Sequence, residues 1–448
     1  MSVKSKIKIA VIGAGPAGSA AAYYLKNHGY NVAVFEKESF VGGRTQGFNN
    51  GTVSFDTGAS FFTNFYPLLL SLIKELELKD EVIELERRVG LKKNEQLAEF
   101  SFGKIKTFWQ LPFLTFNDKM TMIWKTLLLT LKRRQLDLVN PEKLSKFDDA
   151  TIEEWAKSYL SDNLYEYCIR PGVEPFWYFS CEDVSRAMTT VLQGRAADAK
   201  FYTFKNGMAS ISEKLLSNIT LHKNCKVEKI ESKDGKYQVS FISNDTNDTK
   251  SFDGIVMAST ANVAQKILAD ELIPSSIKDF IHSQKYVTNL HVTYLVDKEQ
   301  VKDLLAYYYP CGKWETPIAA IVLHKMKAAD SINAPDDKEL ISVYLLDHTA
   351  KDLLNNPEKE LYEKVWEMAL KFEPSLPEKY EPVACFPREN AIPLHEVGRY
   401  KMANKIKDIQ SGNLVFAGDY LSCATVEGAL RSGRWAAYKL MNKKGITF

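Results

Sequence analysis

IKIAVIGAGPAGSAAAYYLKNHGYNVAVFEKE, from Ile7 to Glu38, decides the fold. Its apolar run Ile7–Ile12 predicts a strand, and Gly13, Gly15 and Gly18 follow in G-x-G-x-x-G spacing. A small-residue helix and a second apolar run, Asn31–Phe35, lead to Glu36. Strand, glycine loop, helix, strand and acid in this order predict a dinucleotide-binding unit. In such a unit Gly13 permits the tight turn, Gly15 lets the backbone approach a pyrophosphate, and Gly18 lets the helix pack close to the strand. Pro16 and Ala17 open the helix, whose first N–H groups carry partial positive charge toward the phosphates. Glu36, 18 residues past Gly18, is placed to accept hydrogen bonds from the ribose hydroxyls with Lys37 beside it, and its charge disfavours the 2′-phosphate of NADP.

The loop alone leaves NAD and FAD open. EKESFVGGRTQGF, which starts at Glu36, places Gly42, Gly43, Arg44 and Thr45 just after the acid. Two glycines give a loop that can lie against a ligand, and arginine offers forked donors to phosphate. Here the chain resembles the flavin-containing amine oxidoreductase superfamily, which includes monoamine oxidases, protoporphyrinogen oxidases and carotenoid-type desaturases. The resemblance implies FAD, with this GGR stretch near its pyrophosphate and flavin. FDTGASFF (Phe55–Phe62) resembles the next family segment, a strand ending beside the flavin, which implies a place near the cofactor for Gly58 and Ala59 and leaves open whether Asp56 and Gly58 touch it or only shape the turn. NCKVEKIESKDGKYQVSF alternates apolar and polar residues about Asp234-Gly235, which predicts a hairpin; by resemblance the backbone of Val227 meets the adenine.

One such unit grips only the ADP half of FAD, so the flavin end needs its own clamp. NLVFAGD (Asn413–Asp419) predicts a strand followed by Gly418 and Asp419, and VEGALRSGRWAAYKL (Val426–Leu440) a helix. The same pattern closes the chain in the resembled superfamily. It implies Gly418 and Asp419 near phosphate and ribityl oxygens, and Val426, Glu427 and Ala429 where the helix N-terminus stabilises charge on reduced flavin. The fold class expected is therefore α/β: a Rossmann-like FAD-binding domain of the GR2, p-hydroxybenzoate-hydroxylase-like type (1–85, 205–275 and 380–448) interleaved with an α+β substrate domain (86–204 and 276–379).

The middle of the chain should hold the substrate. LPFLTFNDKMTMIWKTLLLTLKRRQLDL (Leu111–Leu138) has apolar residues at helical spacing and a basic end. It predicts an amphipathic helix packed on the substrate domain, with peripheral membrane contact as the alternative. YEYCIRPGVEPFWYFSCEDVSRAM resembles the protoporphyrinogen oxidase branch, as does CFPRENAIPLHEVGRY (Cys385–Tyr400). Four successive aromatics, Phe176 to Phe179, cannot share one face; some belong to the core, and Phe176, Trp177 and Tyr178 are the candidates for a pocket taking an apolar or planar small molecule. The polar run Asn244–Ser251 reads as a hairpin tip.

Two positions depart from the resembled pattern, and a third lies near one of its variable features. Amine oxidases of the superfamily place a lysine near flavin N5, and in YVTNLHVTYLV the position falls on His291, or else Asn289. His291 is accordingly the candidate catalytic residue. Thr425 stands where those enzymes have an aromatic. Cys385 is near the cysteine that binds FAD covalently in some members, although a buried free thiol is the plainer reading. The expected chemistry is hydride abstraction from a C–H bond beside an amine nitrogen or in a partly saturated ring, with reoxidation by oxygen or another acceptor. The alternatives are an isoprenoid desaturase or isomerase and a flavin-binding protein without turnover.

Composition sets outer bounds. The 448 residues exceed one ordinary core, so two to three structural units are expected. A net charge of +2, from 58 basic and 56 acidic residues, does not point to nucleic acid. The six cysteines lie far apart with no CxxC pair, which predicts neither a metal site nor a disulfide scaffold, and a reducing compartment. The first strand starts too early for a signal peptide and no run approaches a spanning helix, so a cytoplasmic protein is expected. Oligomeric state has no reading.

Overall fold

The computed structural model describes residues 6–312, 316–410 and 412–442. The fold is mixed α/β, and its first layer is a five-stranded parallel sheet in the order Thr220–His222, Asn31–Phe35, Lys8–Ile12, Gly254–Met257, Leu414–Phe416. Strands that are covered on both faces read as continuous apolar runs, which is why Ile9–Ile12 and Ile255–Met257 are buried throughout. Helices Pro16–Asn27 and Val426–Leu440 pack tightly together. A Cβ on Gly433 would stand 2.0 Å from the Ala17 carbonyl oxygen, so the absence of a side chain sets their separation. The two ends of the chain are thereby joined beneath one cleft.

A three-stranded antiparallel meander, Cys225–Lys233, Lys236–Ser243 and Thr246–Phe252, covers part of this sheet. Asp234 and Gly235 both have positive φ, 52° and 74°, as a two-residue hairpin turn requires. The polar run Asn244–Ser251 is a hairpin tip only at Asn244 and Asp245, which also have positive φ. Its remainder forms the outer strand of the meander, and the polarity follows from that strand's exposure to solvent.

The second layer is a seven-stranded sheet, in the order Glu381–Pro393, Tyr286–Asp297, Lys338–Leu345, Ile318–Leu323, Tyr307–Pro310, Arg88–Lys93, Gln96–Ser101. The strand Glu381–Pro393 pairs along Tyr286–Asp297. Residues 381–393 therefore belong to this sheet, although the sequence expectation puts them with the FAD-binding segments; proximity in the chain to the closing motif is no guide to their strand partner. One face of the sheet carries an apolar cluster around Tyr294, Trp366 and Val343. The other, with Tyr307, Tyr309 and Tyr344, faces the cavity described below.

Helix Phe116–Leu131 starts with a capping box in which Thr115 and Asp118 satisfy each other's backbone N–H groups. It packs against the core through Met122 and Leu129 and beside Gln193, but its other face is apolar as well. Phe116 (69%), Trp124 (58%) and Leu131 (74%) lie open to solvent, as do Met120, Leu127 and Leu128. The buried residue on this helix is instead Asp118, held by Ser161 and Asn163. Among the described residues no helix is long and apolar enough to cross a membrane.

Candidate active site

Three segments distant in sequence build the cleft above the parallel sheet. Gly13 has φ +105° and a Cβ on Gly18 would lie 1.9 Å from the Gly13 carbonyl oxygen, so the turn and the helix can meet only through glycine. Gly18 is therefore a packing residue, whereas Gly13, Gly15, Pro16 and Ala17 border the open space. The Glu36 carboxylate accepts from Ala14 N–H at 2.8 Å and Glu38 N–H at 3.0 Å, which fixes it at the rim with lone pairs to spare. Lys37, paired with Glu38 at 3.0 Å, stays largely exposed beside it.

The GGR stretch docks onto this loop through Gly42 N–H and the Ala14 carbonyl, 2.9 Å apart. Gly43 and Thr45 border the cleft, and the Thr45 hydroxyl donates to Gly42 O at 2.8 Å. Arg44 spans to the closing motif: its Nη2 meets Asp419 at 2.6 Å and its Nη1 donates to Ala391 O at 3.2 Å. Gly58 and Ala59 lie against Arg44, since Ala59 N–H donates to its carbonyl at 3.0 Å and a Cβ on Gly58 would stand 1.9 Å away. Val227 faces the same space from the meander.

At the closing helix, Val426 and Ala429 line the cleft with Gly418 and Asp419, but Glu427 does not. Its carboxylate turns away and accepts from Leu68 and Leu69 N–H, each at 2.9 Å, at the N-terminus of helix Pro67–Glu75. A helix advances 100° per residue, so 426 and 429 share a face that 427 leaves. Thr425 caps the same helix, accepting from Gly428 N–H at 3.0 Å; that is a structural use for the threonine that stands where the resembled enzymes have an aromatic.

The cleft is continuous with a chamber between the two layers, and together they form one cavity of about 1000 Å³. Phe176, Trp177 and Tyr178 all reach its wall, while Phe179 is buried in the core. They are held by a short helix, Glu174–Trp177, that ends abruptly because Tyr178 has φ +62°. A bulky residue in this region is strained, and Tyr178 is held by stacking on Tyr344 (5.8 Å, 5°) and by a bond from Asp347 N–H to its carbonyl. Trp177 Nε1 donates to Ala424 O at 2.9 Å, tying the run to the closing motif. Burial pushes the Tyr178 and Tyr309 hydroxyls well above their usual range, so both remain protonated donors.

His291 does not reach the cavity. Its ring is fully buried and sandwiched between Tyr344 and Phe386, each 4.7 Å away. Burial, with Arg388 nearby, holds its pKa down to about 3. Tyr344 takes the wall position in front of it, and a neutral, enclosed imidazole is no general base. Asn289, two residues earlier, does line the cavity, and His291 Nδ1 lies 3.3 Å from its Oδ1. Cys385 also lies away from the cavity, its thiol raised to about 12 by burial. That position supports the free-thiol reading.

Several wall residues escaped the sequence reading: Tyr307, Tyr309, Tyr344, Lys327 and Arg388. Alternation in Tyr307–Pro310 was a usable signal, since a strand must split adjacent tyrosines between its faces. For Lys327 and Arg388 no local pattern exists. The described residues hold no cluster of metal-binding side chains.

These residues fit FAD: an acid at the ribose rim, two glycine loops that present backbone to a cleft, a helix N-terminus at its far end, and space that continues to a substrate chamber. Comparison with known proteins agrees. The flavin containing amine oxidoreductase family matches residues 16–441. The chain is 27% identical over 176 residues to protoporphyrinogen oxidase 2, chloroplastic/mitochondrial, of Arabidopsis thaliana, covering 38% of this chain and 31% of that relative. It is 28% identical over 171 residues to the flavin-containing amine oxidase A of Sus scrofa, 36% and 29% of the two chains. These alignments span about a third of the curated relatives' length. Among solved structures, a putative protoporphyrinogen oxidase from Exiguobacterium sp. 255-15 superimposes with a TM-score of 0.74 over 99% of this chain and 100% of the other, at 16% identity. Putrescine oxidase bound to putrescine gives 0.72 over 98% and 99%, at 17%. With the GGR loop, the closing helix and the family match spanning nearly the whole chain, this protein belongs to the flavin-containing amine oxidoreductase family, whose members are FAD-dependent oxidoreductases.

Proposed function

We propose that the protein abstracts hydride from a C–H bond of a small, largely apolar or planar substrate, beside an amine nitrogen or in a partly saturated ring, on a GR2-type FAD-binding scaffold. Bound FAD supplies the hydride acceptor, reoxidised by oxygen or another acceptor. The observation that carries the proposal is the single cavity joining the dinucleotide cleft to the aromatic chamber. The chain's residues have three tasks there. Gly13, Gly15, Gly43 and Gly418 present backbone to the cofactor, and Glu36 marks its ribose end. Arg44 and Asp419 lock the two glycine motifs in register. Phe176, Tyr178, Tyr309 and Tyr344 exclude water and hold a flat apolar body, with protonated hydroxyls that orient it without adding charge. No general base is assigned to His291. The test is anaerobic: candidate amines, porphyrinogens and polyenes are added to the purified holoprotein while the flavin band is followed. Bleaching by one class names the substrate, and failure of every class to bleach it argues against turnover.

The exposed face of helix Phe116–Leu131 favours a second reading, an apolar isoprenoid desaturase or isomerase working at a membrane surface. Ile105, Trp109 and Phe116 extend the solvent-facing apolar stripe toward Phe102, which lines the cavity. Residues 104–134 carry seven lysines and arginines against one acid, Asp118. Apolar anchors flanked by basic residues suit an anionic lipid surface. Co-sedimentation with anionic vesicles but not with neutral ones, abolished by Trp124→Glu with Leu131→Glu, supports this reading; absence of sedimentation rejects it.

A further inference from the structure

At the substrate end one buried donor has no acceptor, and beside it one cation has no described counter-ion. Asn289 and Arg388 are register partners on adjacent strands and both line the cavity. The Asn289 side chain is almost fully buried, yet its Nδ2 has no hydrogen-bond partner. A buried amide N–H₂ left unpaired bears the full cost of losing its water, so such a group marks a place where a ligand atom belongs. Its orientation is set from behind, because Asn289 Oδ1 faces His291 Nδ1 at 3.3 Å. With the imidazole neutral, its Nδ1–H can donate to that oxygen and leave the amide nitrogen free.

Arg388 adds charge to the same spot. Its Nη2 donates to the Thr57 hydroxyl at 2.7 Å, and no described carboxylate lies within ion-pair distance of the guanidinium. Asp419, a nearby candidate in the same cavity, is taken by Arg44 at 2.6 Å. The side chains that do influence Arg388 are Tyr178 and Tyr344, both neutral, and Arg44, which repels it. An arginine sheltered in a cavity without a counter-ion is expensive unless a ligand brings one. A planar guanidinium and an amide N–H₂ side by side match a carboxylate, which accepts at both oxygens.

We infer that Asn289 and Arg388 form a carboxylate-binding subsite, so that the substrate is an acid with an apolar or planar body. The inference rests on the proposed use of this cavity for substrate and deepens it. Amine recognition through a lysine-bearing strand and an aromatic pair gives way here to recognition of an anion, with Tyr178 and Tyr344 stacked beside the anchor. His291 is a positioning residue that acts through Asn289.

The test uses the holoprotein and a matched pair of probes, benzoate and benzamide, titrated while the flavin absorbance is recorded. Benzoate should perturb the spectrum with an apparent Kd at least about tenfold below that of benzamide, since a charge-assisted contact outweighs a neutral one. Arg388→Met should erase that preference with FAD content unchanged, Arg388→Lys should retain part of it, and Asn289→Leu should weaken benzoate by about tenfold. Equal binding of benzoate and benzamide by the unaltered protein would overturn the inference without recourse to any variant. Loss of FAD from both Arg388 variants would also overturn it, by giving the guanidinium to the cofactor. Purified folded protein without flavin would instead sink the underlying reading of the cavity.

Discussion

The two ends of the cavity are built on different principles. At the ADP end the contacts are backbone: Gly13, Gly15 and Gly43 turn main chain toward the cleft, and Glu36 is itself held by two backbone N–H groups. At the substrate end the wall is side chain, drawn from the strands at Asn289, Tyr309, Tyr344 and Arg388 and from the strained turn at Tyr178. The turn and helix beneath the cleft tolerate no added volume, because a Cβ would stand 2.9 Å from the Ala258 carbonyl oxygen at Gly13 and 1.9 Å from the Gly13 carbonyl oxygen at Gly18. Side-chain walls can change composition while the sheet beneath them stays put. One half thus commits the protein to a dinucleotide, and the other leaves room for its substrate to be particular to this chain.

If this contrast holds, substitutions at the two ends should separate cofactor retention from substrate recognition. The largest effect is expected from Gly18→Ala, whose Cβ would overlap the Gly13 carbonyl at 1.9 Å. Overpacking of this kind is destabilising by about 1–3 kcal/mol or more, and the FAD-to-protein ratio after purification should fall at least about tenfold. Phe176→Leu at the opposite end should leave that ratio unchanged, and a matching loss there would break the contrast. Glu36→Gln comes next: it removes the charge and turns one of two acceptor oxygens, which also serve Ala14 and Glu38 N–H, into a donor, so FAD affinity should drop about 10- to 100-fold by isothermal titration of the apoprotein.

His291 sharpens the comparison through pH. Its pKa is about 3 folded and near 6.5 unfolded, so the unfolded chain binds a proton that the folded one refuses. The stability from keeping it neutral is complete above pH 6.5 and is lost as pH falls toward 3, by up to about 1.4 kcal/mol per pH unit. His395, also held down to about 3 by burial, adds to the same slope. His291→Phe should keep the stacking on Tyr344 and Phe386, stay within about 1.5 kcal/mol at pH 7, and show a shallower decline of Tm between pH 6.5 and 4.5. An unchanged slope would mean that the imidazole is not enclosed. The smallest effect should be that of Cys385→Ser: acid precipitation should release flavin equally from variant and parent. Flavin retained in the pellet of the parent alone would bring that cysteine into the cofactor site after all.

The glycine loops, the acid at Glu36 and the closing helix could be read from the chain because each is a local arrangement, in which spacing along the backbone already sets the geometry. Local spacing also misled. Glu427 sits inside the motif, yet helical rotation turns it to the N-terminus of helix Pro67–Glu75. His291 lies on the expected strand, but Tyr344 from the neighbouring strand covers it. Helix Phe116–Leu131 packs through Met122 and Leu129 but leaves Phe116, Trp124 and Leu131 in solvent, since periodicity says which residues share a face and not what that face meets.

By itself, then, the sequence determined a dinucleotide fold gripping one cofactor at both ends, because turns, strand periodicity and a helix N-terminus are properties of contiguous residues. Only the tertiary structure decided which side chains confront the substrate. Asn289 and Arg388 become neighbours through the pairing of strands about a hundred residues apart, Tyr344 through a third strand, and the enclosure of His291 through all three. Those contacts depend on sheet register and layer packing, which no short stretch of chain encodes.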